Sequence, residues 1–176
     1  MRPVRPFPCR WPATIAVLLL AASGLVPASP AFAHGGEAGE VAIGHPFATP
    51  TVPGARNGAA YIARLENKGA QPDRLLRAGT PAAARVELHS MRVDGQGIMR
   101  MREVDAIVLA PRSTLQMRPG QGMHLMLVDL REPLREGASF PMTLEFERGG
   151  KVEVKVVVQQ PRPSDAAGSH AKTHKH

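Results

Sequence analysis

Lys151-Val152-Glu153-Val154-Lys155-Val156 alternates charge and valine without a break. In an extended strand, a period of two puts every valine on one face and every charge on the other. A helix would scatter the same residues around its axis. Just upstream, Met142-Thr143-Leu144-Glu145-Phe146-Glu147 alternates in the same way, and Arg148-Gly149-Gly150 separates the two runs. Two alternating runs joined by a glycine-containing turn predict an antiparallel hairpin.

Further strands are predicted over 41–47, 59–66, 74–78, 85–91, 98–104, 106–109, 114–117 and 124–129. They are punctuated by Asn67-Lys68-Gly69, Asp94-Gly95-Gln96-Gly97 and Arg118-Pro119-Gly120. No segment carries a long amphipathic helical period. Short strands with a turn about every ten residues indicate an all-β sandwich or barrel.

The ends read differently. Arg2, Arg5 and Arg10 precede an apolar run from Ala13 to Val26, and Ala31-Phe32-Ala33 fits a small-x-small cleavage site. Residues 1–33 are thus expected to be a secretory signal peptide. Its removal takes away Cys9, the only cysteine, and Trp11, the only tryptophan. The mature chain then has no disulfide, no thiolate ligand and no cysteine nucleophile. Three arginines and no acids leave with it, so the formal charge falls from +7 to +4. No basic-aromatic cluster points to nucleic acid. Residues 34–40 are expected to be a flexible glycine-rich lead and 41–159 the folded domain. Residues 160–176 are expected to be a disordered tail. The mature product is expected to be a soluble periplasmic monomer.

Inside the domain, histidine and methionine cluster. Met91, Met99, Met101, Met117, Met123 and Met126 fall in one stretch with His89 and His124, while His45 lies apart. In His124-Leu125-Met126, residues two apart on a strand project an imidazole and a thioether to one face. His89 and Met91 share that spacing, as do Met99 and Met101. Segments 85–91 and 98–104 form a hairpin around Asp94–Gly97. An effective loop of five residues sets His89 opposite Met101 on one face, whereas a loop of four sets them on opposite faces. A glycine bulge can settle that parity. Thioether is soft and neutral and favours Cu(I), and imidazole suits copper too. Blue-copper electron transfer needs a cysteine thiolate, which the mature chain lacks. The donors therefore read as carrying copper rather than cycling it. Met117 and Met123 read as core or rim.

At these residues the chain resembles the periplasmic copper chaperones called PCuAC. The matching text includes Ala60-Tyr61, Asn67-Lys68-Gly69, Asp73-Arg74-Leu75-Leu76, Val86-Glu87-Leu88-His89, Ile98-Met99-Arg100-Met101-Arg102 and Gly122-Met123-His124-Leu125-Met126. The resemblance covers the whole domain. Both intervals, His89 to Met101 and Met101 to His124, are one residue longer than the family pattern. Met101 aligns best as the third donor, with Met99 as the alternative and Met91 as an auxiliary. The resemblance implies a cupredoxin-like Greek-key barrel and Cu(I) held by His89, Met101, His124 and Met126. It also implies delivery of the ion to the binuclear copper centre of cytochrome c oxidase, directly or through a thiol-bearing assembly protein. No enzymatic activity is expected.

The tail adds His170, His174 and His176. Imidazoles without thioethers favour Cu(II) and predict a weak second copper site there. Two rival readings are a structural or adhesive β-sandwich with a methionine-rich core, and a copper oxidase built on His34 as the mature N-terminus.

Overall fold

The computed structural model describes residues 35–161. The expected signal peptide, His34 and the tail histidines His170, His174 and His176 lie outside the described residues. Within them there are eleven strands and no helix. They are β1 (Gly35–Ala38), β2 (Val41–Ala48), β3 (Gly58–Asn67), β4 (Asp73–Gly79), β5 (Ala83–Val93) and β6 (Met99–Glu103). The rest are β7 (Ile107–Leu109), β8 (Ser113–Leu115), β9 (Gly122–Leu130), β10 (Ser139–Phe146) and β11 (Gly150–Val158). The main path runs β6-β5-β9-β3-β2-β11-β10-β4-β7, with β1 added to β2 and β8 to β3. This is the all-β, cupredoxin-like architecture expected.

The alternating hairpin forms as predicted: β10 and β11 pair antiparallel, with Met142 opposite Val154 and Leu144 opposite Val152. Val154, Val156 and Val158 join Leu65, Leu75, Leu125 and Leu144 in the core. Buried Asp73 clamps the turn, accepting the Arg148 and Gly149 backbone N–H groups at 2.9 Å each and the Arg74 N–H at 2.7 Å. Buried Asn67 does similar work around 67–71. Its Oδ1 accepts from the Gly69 N–H at 2.9 Å, and its Nδ2 donates to the Gln71 carbonyl at 2.8 Å and to the Leu109 carbonyl at 3.3 Å.

One expectation is corrected. The lead expected over 34–40 is not loose where the structure describes it, because 35–38 make β1 and pair residue for residue with 41–44 of β2. The segment has no alternation, and tertiary contacts hold it. Glu37 pairs with Lys68 at 2.8 Å, and the Lys68 N–H donates to the Glu40 carbonyl at 2.9 Å. Gly149 is what lets β1 approach the β10–β11 turn, since a Cβ there would stand 2.5 Å from the Ala38 carbonyl oxygen. The predicted strand at 114–117 is shorter, at Ser113–Leu115, and buried Met117 docks instead by donating its N–H to the Ile62 carbonyl at 3.0 Å.

Candidate metal centre

β5 is the hub of the site, with β6 along one side and β9 along the other. On the β9 side, Glu87 faces Met126, His89 faces His124 and Met91 faces Gly122. On the β6 side, His89 faces Glu103, Met91 faces Met101 and Val93 faces Met99. Directly opposed residues of antiparallel strands project to the same side. Glu87, His89, Met91, Met99, Met101, His124 and Met126 therefore share one face of the β9–β5–β6 sheet. Met123 falls on the other face, opposite Ser90, and packs against the core.

The hairpin parity is the one that puts His89 and Met101 on one face, but the register differs from that expected. His89 lies opposite Glu103, and Met101 sits one pair nearer the tip, opposite Met91. The Asp94 carboxylate sets the turn centre. Its Oδ1 accepts from the Gln96 and Ile98 N–H groups at 3.0 Å each, and its Oδ2 accepts from Arg100 Nε at 2.8 Å. The Asp94 N–H donates to the Ile98 carbonyl at 2.9 Å, and Gly97 turns the chain at φ +78°. The five residues Asp94–Ile98 thus bridge the Val93/Met99 pair.

His89 and His124 meet edge to face, with ring centroids 5.5 Å apart and planes 62° apart. His124 is buried, and its proton affinity is lowered, first by burial and then by the neighbouring His89. It is thereby kept in the neutral form that a metal requires. Tyr61 backs it, ring centroids 6.3 Å apart, and Phe47 stacks behind Tyr61 at 5.2 Å. Burial raises the Tyr61 pKa, so it stays a neutral phenol.

Glu87 governs His89. Its Oε2 lies 3.1 Å from His89 Nε2, and its Oε1 accepts from Arg85 Nε at 2.7 Å. Hydrogen bonds from Arg85 and then His89 hold this carboxyl below the usual glutamate range. An ionised carboxylate only accepts, so the facing Nε2 carries the hydrogen. The lone pair of the neutral ring then sits on Nδ1. That atom is buried with no hydrogen-bond partner among the described residues. A histidine anchored to a carboxylate through one nitrogen, with the other free, is the usual form of a metal-ligating histidine.

Among the described residues, no three His, Cys, Asp or Glu side chains are grouped to hold a metal. The other soft donors on this face are thioethers. Met126 follows His124 on the shared face and is half-buried, whereas Met99 and Met101 are 55% and 48% exposed. His45 stands apart, its ring against Phe47 and its Nε2 3.0 Å from Gln159 Nε2. Sequence reasoning missed Glu87 as a partner of His89. The Glu-x-His spacing that puts them on one face was there to be read.

Residues 41–158 match the family described as "Putative lipoprotein LpqE-like". The "Putative lipoprotein Lxx21020" of Leifsonia xyli subsp. xyli is 32% identical over 148 residues, covering 83% of this chain and 87% of its own. The copper-bound PCuAC domain from PmoF2 superposes with a TM-score of 0.62 at 29% identity, over 73% of this chain and all of that domain. The solution structure of apo-DR1885 from Deinococcus radiodurans gives 0.55 at 29% identity, over 85% of this chain and 97% of that one.

Proposed function

This chain belongs to the LpqE-like family, related to the PCuAC domains, and on that premise we propose that it is an exported copper chaperone carrying one Cu(I) ion. The observation that carries the reading is the buried, unpartnered Nδ1 of His89 beside the His124 ring. Its ligands are His89 Nδ1, the His124 imidazole and the thioethers of Met126 and Met101. All four donors are neutral and the sulfurs are soft, which suits a monovalent coinage-metal ion over zinc or magnesium. The similarity to a copper-bound PCuAC domain supports the same metal.

The cargo leaves by ligand exchange. Neutral thioethers yield to a thiolate, so an acceptor bearing cysteines draws the ion away with no redox step. The acceptor we propose is a cytochrome c oxidase copper subunit or its thiol-bearing assembly factor, in the periplasm. Relatives described as lipoproteins support export.

Titrating the whole chain with Cu(I) against a competing chelator tests this reading. The parent takes one tightly held equivalent, and the His124→Ala/Met126→Ala variant loses it. Undiminished tight binding by that variant overturns the assignment.

A further inference from the structure

The domain's methionines divide by environment in a way that packing does not explain. Met117 and Met142 are each 1% exposed and fill the core. Met99 and Met101, by contrast, stand in solvent at the edge of the sheet, together with exposed Val93 and Ile98. An exposed thioether contributes little to the fold. These two nonetheless share a face with Met91, which lies directly opposite Met101.

Directly opposed residues have Cβ atoms about 5 Å apart, and diagonal ones about 7–8 Å, within reach of long side chains. Met91, Met101 and Met99 can therefore turn three sulfurs toward one point. On the β9 side the position opposite Met91 is Gly122, which has no side chain, sits at φ +70° and has open space where a Cβ would project. Room for an ion and for an incoming ligand is thus left beside the methionines.

We propose that Met91, Met99 and Met101 form a second, outer site for a soft monovalent cation at the tip of the β5–β6 hairpin. The inference rests on the carrier reading above for its biological use but not for its chemistry. Three thioethers supply a neutral, trigonal, all-sulfur shell that takes Cu(I) or Ag(I) and discriminates against Zn(II) and Mg(II). Met101 is the common donor, directly opposite Met91 and diagonal to His89 on the same neighbouring strand, β5. An ion steps outward by exchanging the two imidazoles and Met126 for Met91 and Met99 while Met101 stays bound. No electron or proton moves, and the cargo arrives where a partner's thiolate can reach it.

The test uses the whole chain with isotope-labelled methionine methyl groups and Ag(I) as a redox-silent probe. It is run in the His124→Ala/Met126→Ala background, which removes the inner site. Expected is a joint shift of the Met91, Met99 and Met101 methyl signals that saturates near one equivalent. The unmoved Met117 and Met142 signals report an intact core. Adding Met91→Leu and Met99→Leu should abolish the shift of Met101 and weaken Ag(I) binding at least tenfold. If Met91 and Met99 do not move, or the leucine variants bind Ag(I) as before, the outer site is refuted. Either result is independent of whether His124 and Met126 hold the tight equivalent in the parent.

Discussion

Glu87 decides which nitrogen of His89 is left without a hydrogen-bond partner, and that role can be separated from folding. Its carboxylate is fixed by Arg85 at 2.7 Å and in turn fixes His89 Nε2 at 3.1 Å. Glu87→Ala should free the ring to change tautomer and orientation, weakening Cu(I) binding about 10–100-fold, the usual effect of losing such a partner. Nitrogen chemical shifts of His89 in the metal-free protein check this directly. They should report Nε2–H in the parent and a tautomer mixture in the variant, with an unchanged unfolding midpoint. His124 supplies a pH dependence. The unfolded chain takes up this proton near the ordinary histidine value of about 6.5, whereas the folded one resists it to lower pH. Below that value the unfolded state binds more protons, so this contribution to stability is present above about pH 6.5. It is lost as pH falls through the folded value. The urea midpoint of the metal-free protein should drop between pH 7 and pH 5, and drop less in His124→Gln.

At the level of elements, the turns carry the specificity. Asp73 holds the β10–β11 turn through two backbone N–H groups. Asp73→Ala leaves those donors without their acceptor, at a cost of about 2–4 kcal/mol. It should read as a lower denaturant midpoint with unchanged slope. Copper stoichiometry should be untouched, because β4, β10 and β11 lie apart from β5, β6 and β9 in the strand order. The same logic explains what could be read in advance. Lys151–Val156 had to be a strand because period two leaves no other way to bury three valines together. Gly35–Ala38 could not be recognised, since its pairing depends on Lys68 and on the missing side chain of Gly149. That His124 and Met126 project to one face was legible from strand spacing alone. The hairpin register was not, because it turns on which backbone groups the Asp94 carboxylate accepts. That choice moved Met101 from beside His89 to beside Met91.

For the molecule as a whole, one strand pairing among the described residues is parallel while the others are antiparallel. β2 lies between β3 and β11, and the β11 contact is parallel, with Val157 opposite Phe47 and Val158 opposite Ala48. One flank of a strand near the start of the domain is thus completed only by residues near its end. The Gln159 N–H donates to the Ala48 carbonyl and closes the seam. Contacts so distant in sequence form late and slowly. A nascent chain ending before residue 150 lacks β11 and so cannot seal this seam. Closure, and with it the burial of Phe47 behind the tyrosine that backs His124, waits until the last strand has emerged.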